Sequence, residues 1–324
     1  MRIALVAPSF FGYSKDILHE IESLGHTGFL FCDRPSENVF FKSLGRINYS
    51  LLNPSIDRYF NKFLEAVIEK RPDVILVVGG MSFCFSRMQV ERLKDACNAQ
   101  LVAYLWDSLK NCQRIGDSVD LFDRVYSFEP HDCRSAGLHF LPLFYTNAYG
   151  DIPLEPSSCY QYDACFVGSV HQGSKFLYVN SVVEMLRREG ARVFTHYYIP
   201  SKSVGLLCRM QNREYQQVEL RCDVLSRAQV VNLFRISKTI IDAPQARQSG
   251  LTMRTIETVG AQRKLITANS EISNYDFFAY GQMEYLPYAE DLDMSFITAD
   301  PAGIPDDVRL RYSIRSWMKR ILDN

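Results

Sequence analysis

Apolar residues along this chain follow two patterns that alternate. Short uninterrupted runs, such as RIALVA at 2–7, DVILVV at 73–78, LVAYL at 101–105 and TIID at 239–242, suit parallel strands buried on both faces. Between them apolar positions recur at helical spacing. Ile17, Leu18, Ile21 and Leu24 predict a helix over 14–24, with Gly25 where a helix C-cap belongs. The same spacing predicts helices over 56–70, 88–97, 175–189, 226–234 and 251–260. Further strands are expected at 27–32, 124–128, 163–167, 192–197, 264–267 and 284–286. A last amphipathic helix over 307–322 carries Val308, Tyr312, Ile314, Trp317, Met318 and Ile321. Strand and helix in strict alternation specify a doubly wound, Rossmann-like α/β sheet.

The alternation runs through the chain twice. A stretch at 149–161, rich in Pro, Ser and Gly and without apolar periodicity, separates the two passes. With 324 residues the chain is long enough for two cores. The expected domains are 1–150 and 151–305, followed by a terminal helix over 306–324. Residues 34–57 read as a long polar loop, of a length usually tied to function. In doubly wound sheets ligands bind beyond the C-terminal ends of the strands. In the first half those ends are 9–12, 79–81, 106–108 and 129–131.

Composition narrows the class. Hydrophobic residues make up 47% and charged residues 23%, values of an ordinary globular protein. The net charge of −1 supplies no overall field for nucleic acid or an anionic membrane, so no nucleic-acid partner is expected. Nine scattered cysteines, none spaced C-x-x-C, fit reduced thiols in a cytoplasmic protein better than a disulfide framework or a zinc knuckle. Neither a secretion signal nor an apolar run long enough to span a bilayer is visible. P-loop, nucleophile-elbow, zincin and dinucleotide-binding signatures are absent.

The richest chemistry lies in 239–276. A strand leads through a loop to Gly250, and a helix opens at Leu251. A glycine ahead of a helix N-terminus lets backbone N–H groups approach an anion. Arg254 and Glu257, three apart, share one helix face; they suit a phosphate and ribose hydroxyls, or equally form a plain surface pair. Asp291-Leu292-Asp293 matches a metal-binding D-x-D only formally and reads as a solvated acidic loop, so no metal is expected. Residues 200–222 place Lys202, Arg209, Arg213 and Arg221 among Leu206, Leu207, Met210 and Tyr215. That segment is either a peripheral membrane contact or a solvated helix with one core-facing stripe.

Gln248-x-Gly250-Leu251-Thr252-Met253-Arg254-Thr255-x-Glu257, followed by Leu265-Ile266-Thr267-x-Asn269 and Tyr275-Asp276-Phe277-Phe278, resembles the C-terminal half of bacterial polysaccharide glycosyltransferases related to the CgeB spore-maturation proteins. The resemblance implies the GT-B fold, two Rossmann-like domains facing a cleft. It also implies that this segment holds the nucleotide of a sugar donor and that the final helix crosses back to the first domain, with Trp317 as its anchor. It further implies a role in surface polysaccharide assembly (capsule, O-antigen or exopolysaccharide), on a glycan or lipid-linked acceptor.

Within that frame Gly168 and Ser169 form a small turn beside the donor, and His171 meets its diphosphate or is a plain loop residue. Arg247 neutralises the departing diphosphate, a task a metal-free transferase gives to cations and helix dipoles, or is simply exposed, and Arg254 is the stronger candidate. Asp107 is the candidate base toward the acceptor hydroxyl, or else an N-cap for the turn near Leu109; Glu129 and His131 are runners-up. The rival functions are a sugar-nucleotide epimerase of the same fold and a non-catalytic nucleotide-sugar-binding subunit.

Overall fold

A computed structural model describes residues 1–36, 52–244 and 248–323. The chain divides into two compact units. The first comprises Met1–Pro142 with Trp317–Asn324, and the second comprises Leu143–Ser316.

The first unit is built on one parallel sheet of β1 (Arg2–Ala7), β2 (Thr27–Cys32), β3 (Val74–Gly79), β4 (Gln100–Leu105), β5 (Arg124–Ser127) and β6 (His139–Phe140). Their order is β2-β1-β3-β4-β5-β6. β3 is buried at every position, as expected for a central strand covered on both faces. Helices α1 (Tyr13–Ser23), α2 (Asn53–Lys70), α3 (Arg87–Ala96) and α4 (Pro130–Ala136) complete the alternation. Ile75, Val77 and Ala103 of the sheet share a core with Phe60, Phe63 and Val67 of α2 and Val90 and Leu93 of α3. Phe85 anchors that core, with the rings of Phe60 and Phe63 each 5.2 Å away.

The second sheet contains β7 (Tyr162–Ser169), β8 (Val193–Tyr198), β9 (Leu220–Arg221), β10 (Ser237–Asp242), β11 (Lys264–Thr267) and β12 (Met283–Tyr285). All are parallel, in the order β12-β11-β10-β7-β8-β9. Its main helices are α5 (Gly173–Arg188), α6 (Lys202–Gln211), α7 (Arg227–Ile236) and α8 (Met253–Gly260). The chain lays β7, β8 and β9 outward to one edge, then returns beside β7 to lay β10, β11 and β12 toward the other. This reversal puts the C-terminal ends of β7 and β10 side by side, the position where doubly wound sheets open a crevice. At the opposite end of the sheet, buried cations are held by carbonyls. Arg263 donates to the Phe234 and Pro153 oxygens at 2.8 and 2.9 Å, and Lys264 to those of Phe296 and Ala299, each at 2.5 Å.

Several elements depart from the sequence pattern. α2 begins at Asn53 rather than 56, because Pro54 lies in the first turn, where its missing N–H has no intrahelical partner to lose. The expected helix over 307–322 is broken. Asp306–Arg309 and Leu310–Tyr312 are short turns, Ser313 is extended, and α9 (Ile314–Leu322) follows. Tyr145 causes the break by exchanging backbone hydrogen bonds with Tyr312 and Ile314, both 2.9 Å. The two-residue edge strands β6 and β9 are too short to register as apolar runs. Most of the predicted 34–57 loop lies outside the described residues. Trp317 on α9 is buried and meets Tyr104 of β4 edge-on, with ring centroids 4.8 Å apart.

Candidate functional site

The site is built where β7 and β10 end. β10 closes on the buried Asp242. Residues 245–247 lie outside the described residues, and with them the candidate Arg247. Where the chain resumes, Asn269, just past β11, donates its amide to the Ser249 and Gly250 carbonyls at 3.0 and 3.3 Å and pins the loop. Gly250 and Leu251 are buried and Gln248 is half-buried. The helix opens at Met253, two residues later than the apolar pattern suggests, because Thr252 is its N-cap. The Thr252 hydroxyl accepts from the Thr255 N–H at 3.2 Å and donates to Asp242 Oδ2 at 2.5 Å. Thr255 donates to the same oxygen at 3.0 Å. One carboxylate thereby fastens the start of α8 to the end of β10.

Arg254 lies in the first turn of α8. Its guanidinium pairs with Glu257 at 3.1 Å and stands 5.2 Å over the Phe234 ring, with 23% of the side chain exposed against 3% for Glu257. The Tyr149 hydroxyl also bonds to Glu257. Burial pushes that phenol far above its ordinary range, and the carboxylate adds to the effect. The Arg254–Glu257 pair is thus seated in the fold instead of lying on the surface. It orients a cation that stays partly exposed.

From the other side of the switch point, Gln172 at the N-cap of α5 and Lys175 and Tyr178 on the helix follow one another at single-turn spacing. The Lys175 ammonium interacts electrostatically with Asp242 and Arg254. Burial lowers its pKa, with Asp242 opposing and Arg254 reinforcing that shift. It makes no hydrogen bond or ion pair with described residues. The Tyr178 hydroxyl and the Gln172 side-chain oxygen are buried and likewise lack partners among the described residues. Buried polar atoms without partners are rare and mark places where a ligand or water completes the bonding. Gln172 makes no side-chain cap to α5, and a helix N-terminus without such a cap suits an anion.

Gly168 and Ser169 are the last two residues of β7, paired with Tyr197 and Tyr198 of β8, and do not form the expected separate turn. The Ser169 hydroxyl and His171 Nδ1 are 2.6 Å apart, with Ser169 closing the strand and His171 exposed just past it. Lys175, Tyr178 and Asp242 escaped the sequence reading. The available signal was a lysine in the first turn of a helix, two residues after Gly173.

The candidate bases belong to the first unit. Asp107 Oδ1 accepts from the Ser108 N–H and the Asn111 amide at 2.8 and 2.9 Å, so this carboxylate caps the turn after β4. Glu129 is buried at the start of α4, and His131 is exposed, 3.9 Å from Asp132. Asp293 caps a short helix by accepting from the Ser295 N–H at 2.8 Å and its hydroxyl at 2.6 Å, which holds its carboxyl below the usual carboxylate range.

No family model matches the chain, and no curated protein matches it in sequence. Solved structures do match along its whole length. A glycosyltransferase from Rickettsia africae is similar with a TM-score of 0.61 at 12% identity, covering 99% of this chain and 97% of its own. The Anabaena protein HepE, in complex with UDP and glucose, gives 0.59 at 11% identity, covering 100% and 98%. UDP-GlcNAc 2-epimerase from Neisseria meningitidis, bound to UDP-GlcNAc, gives 0.57 at 11%, covering 100% and 99%. Two parallel six-stranded sheets with flanking helices, matched by these proteins, make this a GT-B fold with two Rossmann-like domains.

Proposed function

We propose that the chain is a glycosyltransferase that moves a sugar from a nucleotide-sugar donor to a hydroxyl of a glycan or lipid-linked acceptor. By its resemblance to the CgeB-like enzymes it acts in bacterial surface polysaccharide assembly. One observation carries the reading. At the switch point of the second sheet, Arg254 and Lys175 stand in the first turns of two helices, and the Tyr178 hydroxyl and Gln172 side-chain oxygen are buried without partners among the described residues. Two cations, together with the N-terminus of α5, which no capping side chain occupies, suit a diphosphate. The UDP ligands of the similar structures favour a uridine nucleotide.

In the proposed reaction the acceptor hydroxyl attacks the anomeric carbon, the bond to the diphosphate breaks, and the nucleotide departs. Arg254 and Lys175 meet the charge that develops on the leaving oxygen, without a metal ion. Asp107 is the proposed base; its Oδ1 is engaged in the cap, which leaves Oδ2 for a proton. Ser169 and His171 contribute hydrogen bonds at the same strand end.

Thermal unfolding with UDP, GDP, dTDP and CMP sugars tests the site. A donor that raises the melting temperature of the native protein should lose most of its effect in Arg254→Ala and in Lys175→Met. Each charged hydrogen bond to phosphate is worth about 1.5–3 kcal/mol. Undiminished shifts in both variants would refute the placement.

The likeness to the Neisseria epimerase supports a second reading, epimerisation of a sugar nucleotide. An epimerase converts the sugar nucleotide with no acceptor present, whereas a transferase needs the acceptor to form its glycoside. Product analysis with and without a glycan acceptor separates them.

A further inference from the structure

Helix α6 carries two apolar faces, and only one of them is used by the fold. Val204, Gly205 and Cys208 turn inward. Gly205 packs so closely that an added Cβ would overlap Ile199 and lie 3.7 Å from Leu220, and the Cys208 thiol faces the His171 carbonyl at 4.0 Å. On the opposite side Leu206, Leu207 and Met210 are 63%, 56% and 76% exposed. With Ser203 these positions follow the i, i+3, i+4, i+7 rule, so at about 100° per residue they form one outward stripe. Single exposed apolar residues are common, but a row on one helix face marks an interaction surface.

The charges beside the stripe identify the occupant. Lys202 and Arg209 project along one border of it, and Arg213 stands in the next turn. All three are exposed and make no ion pair among the described residues. Between 199 and 218 they are opposed by a single acid, Glu214, in a chain whose net charge is −1. A second protein surface would leave these cations to be desolvated or individually matched. An anionic bilayer surface accepts them without a fixed register, while the apolar side chains enter the acyl boundary. No helix among the described residues is long and apolar enough to cross a membrane.

We infer that the outward face of α6 docks on an anionic lipid surface, with Leu206, Leu207 and Met210 inserted and Lys202, Arg209 and Arg213 at the headgroups. The inner side of the same helix contacts the turn after β7. Docking would therefore hold the proposed donor site close to the lipid plane. The inference does not depend on the donor reading, since α6 can bind lipid whether or not the switch point binds a nucleotide.

Co-sedimentation with vesicles of phosphatidylcholine, with and without phosphatidylglycerol, tests it. The native protein should sediment with the anionic vesicles and be released by salt. Leu206→Ser/Leu207→Ser/Met210→Ser should weaken that binding by about tenfold or more, with an unchanged melting temperature as the folding control. Lys202→Gln/Arg209→Gln/Arg213→Gln should abolish the preference for phosphatidylglycerol. Failure of the native protein to sediment, or equal sedimentation of the triple-serine variant, overturns the inference. So does a native dimer in light scattering that becomes a monomer in the triple-serine variant, which would assign the stripe to a second copy of the chain. Because the readout is lipid binding and not turnover, its failure leaves the transferase reading untouched.

Discussion

Thr252 donates its hydroxyl to the Asp242 carboxylate at 2.5 Å, and this bond, with that of Thr255 to the same oxygen, ties the first turn of α8 to the end of β10. Through them the placement of Arg254 depends on a residue in a strand, not on its own helix. The Thr252 oxygen also accepts from the Thr255 N–H, so it serves as cap and as fastener together.

Thr252→Val keeps the shape and removes both bonds. It should destabilise the protein by about 1–2 kcal/mol, as N-cap losses do, whereas Thr252→Ser should stay near the native value. Urea unfolding monitored by circular dichroism checks this. Equal midpoints for valine and serine would show that the cap contributes nothing.

Lys175 adds a pH dependence to donor binding. Burial lowers its pKa, and a bound diphosphate would favour its charged form. Nucleotide affinity should therefore be highest where Lys175 is charged and should fall as pH rises through that lowered pKa. Lys175→Arg, charged throughout, should flatten the alkaline fall. Calorimetric titration across pH gives the answer, and parallel profiles for the two proteins would remove Lys175 from the site.

Gly260 at the end of α8 is a position of close approach. A Cβ there would overlap Tyr145 Cγ and lie 2.8 Å from its Cβ, atoms near the backbone that have little room to move. Gly260→Ala should cost about 1–3 kcal/mol despite the better helix propensity of alanine. A stabilised variant in thermal unfolding would contradict the packing described.

Trp317 is buried against Tyr104 in the first unit. Trp317→Ala should lose about 3–5 kcal/mol, and Trp317→Phe markedly less. Denaturant unfolding of the two variants makes the comparison.

Lys264 gives stability a slope with pH. Burial, aided by Lys238, lowers its ammonium from 10.5 to about 8. Between those values the unfolded chain holds a proton that the folded chain has released, so stability rises with pH across that window. Below about 8 both states are charged and the folded state bears the full burial penalty. The native protein should gain up to about 3 kcal/mol relative to Lys264→Met from one end of the window to the other. A constant difference between the two proteins would show that Lys264 stays charged throughout.

Local order was legible in the chain because it rests on local physics. The runs at 2–7, 73–78 and 239–242 could satisfy their apolar residues only as strands covered on both faces. The spacing of Arg254 and Glu257, three apart, is enough to place them on one helix face. The cap reading of Asp107 was likewise available, since Ser108 and Asn111 are its near neighbours.

The site itself was decided by tertiary structure. Nothing in TIID states whether that strand pairs beside β9, continuing outward, or returns to β7. Only the return brings Asp242 and Arg254 to Lys175, which is far away in sequence. The burial of Glu257 and the solvent exposure of Leu206, Leu207 and Met210 belong to the same category. Spacing shows which residues share a face, but whether that face meets a sheet or solvent depends on strand order, a long-range property of the whole fold.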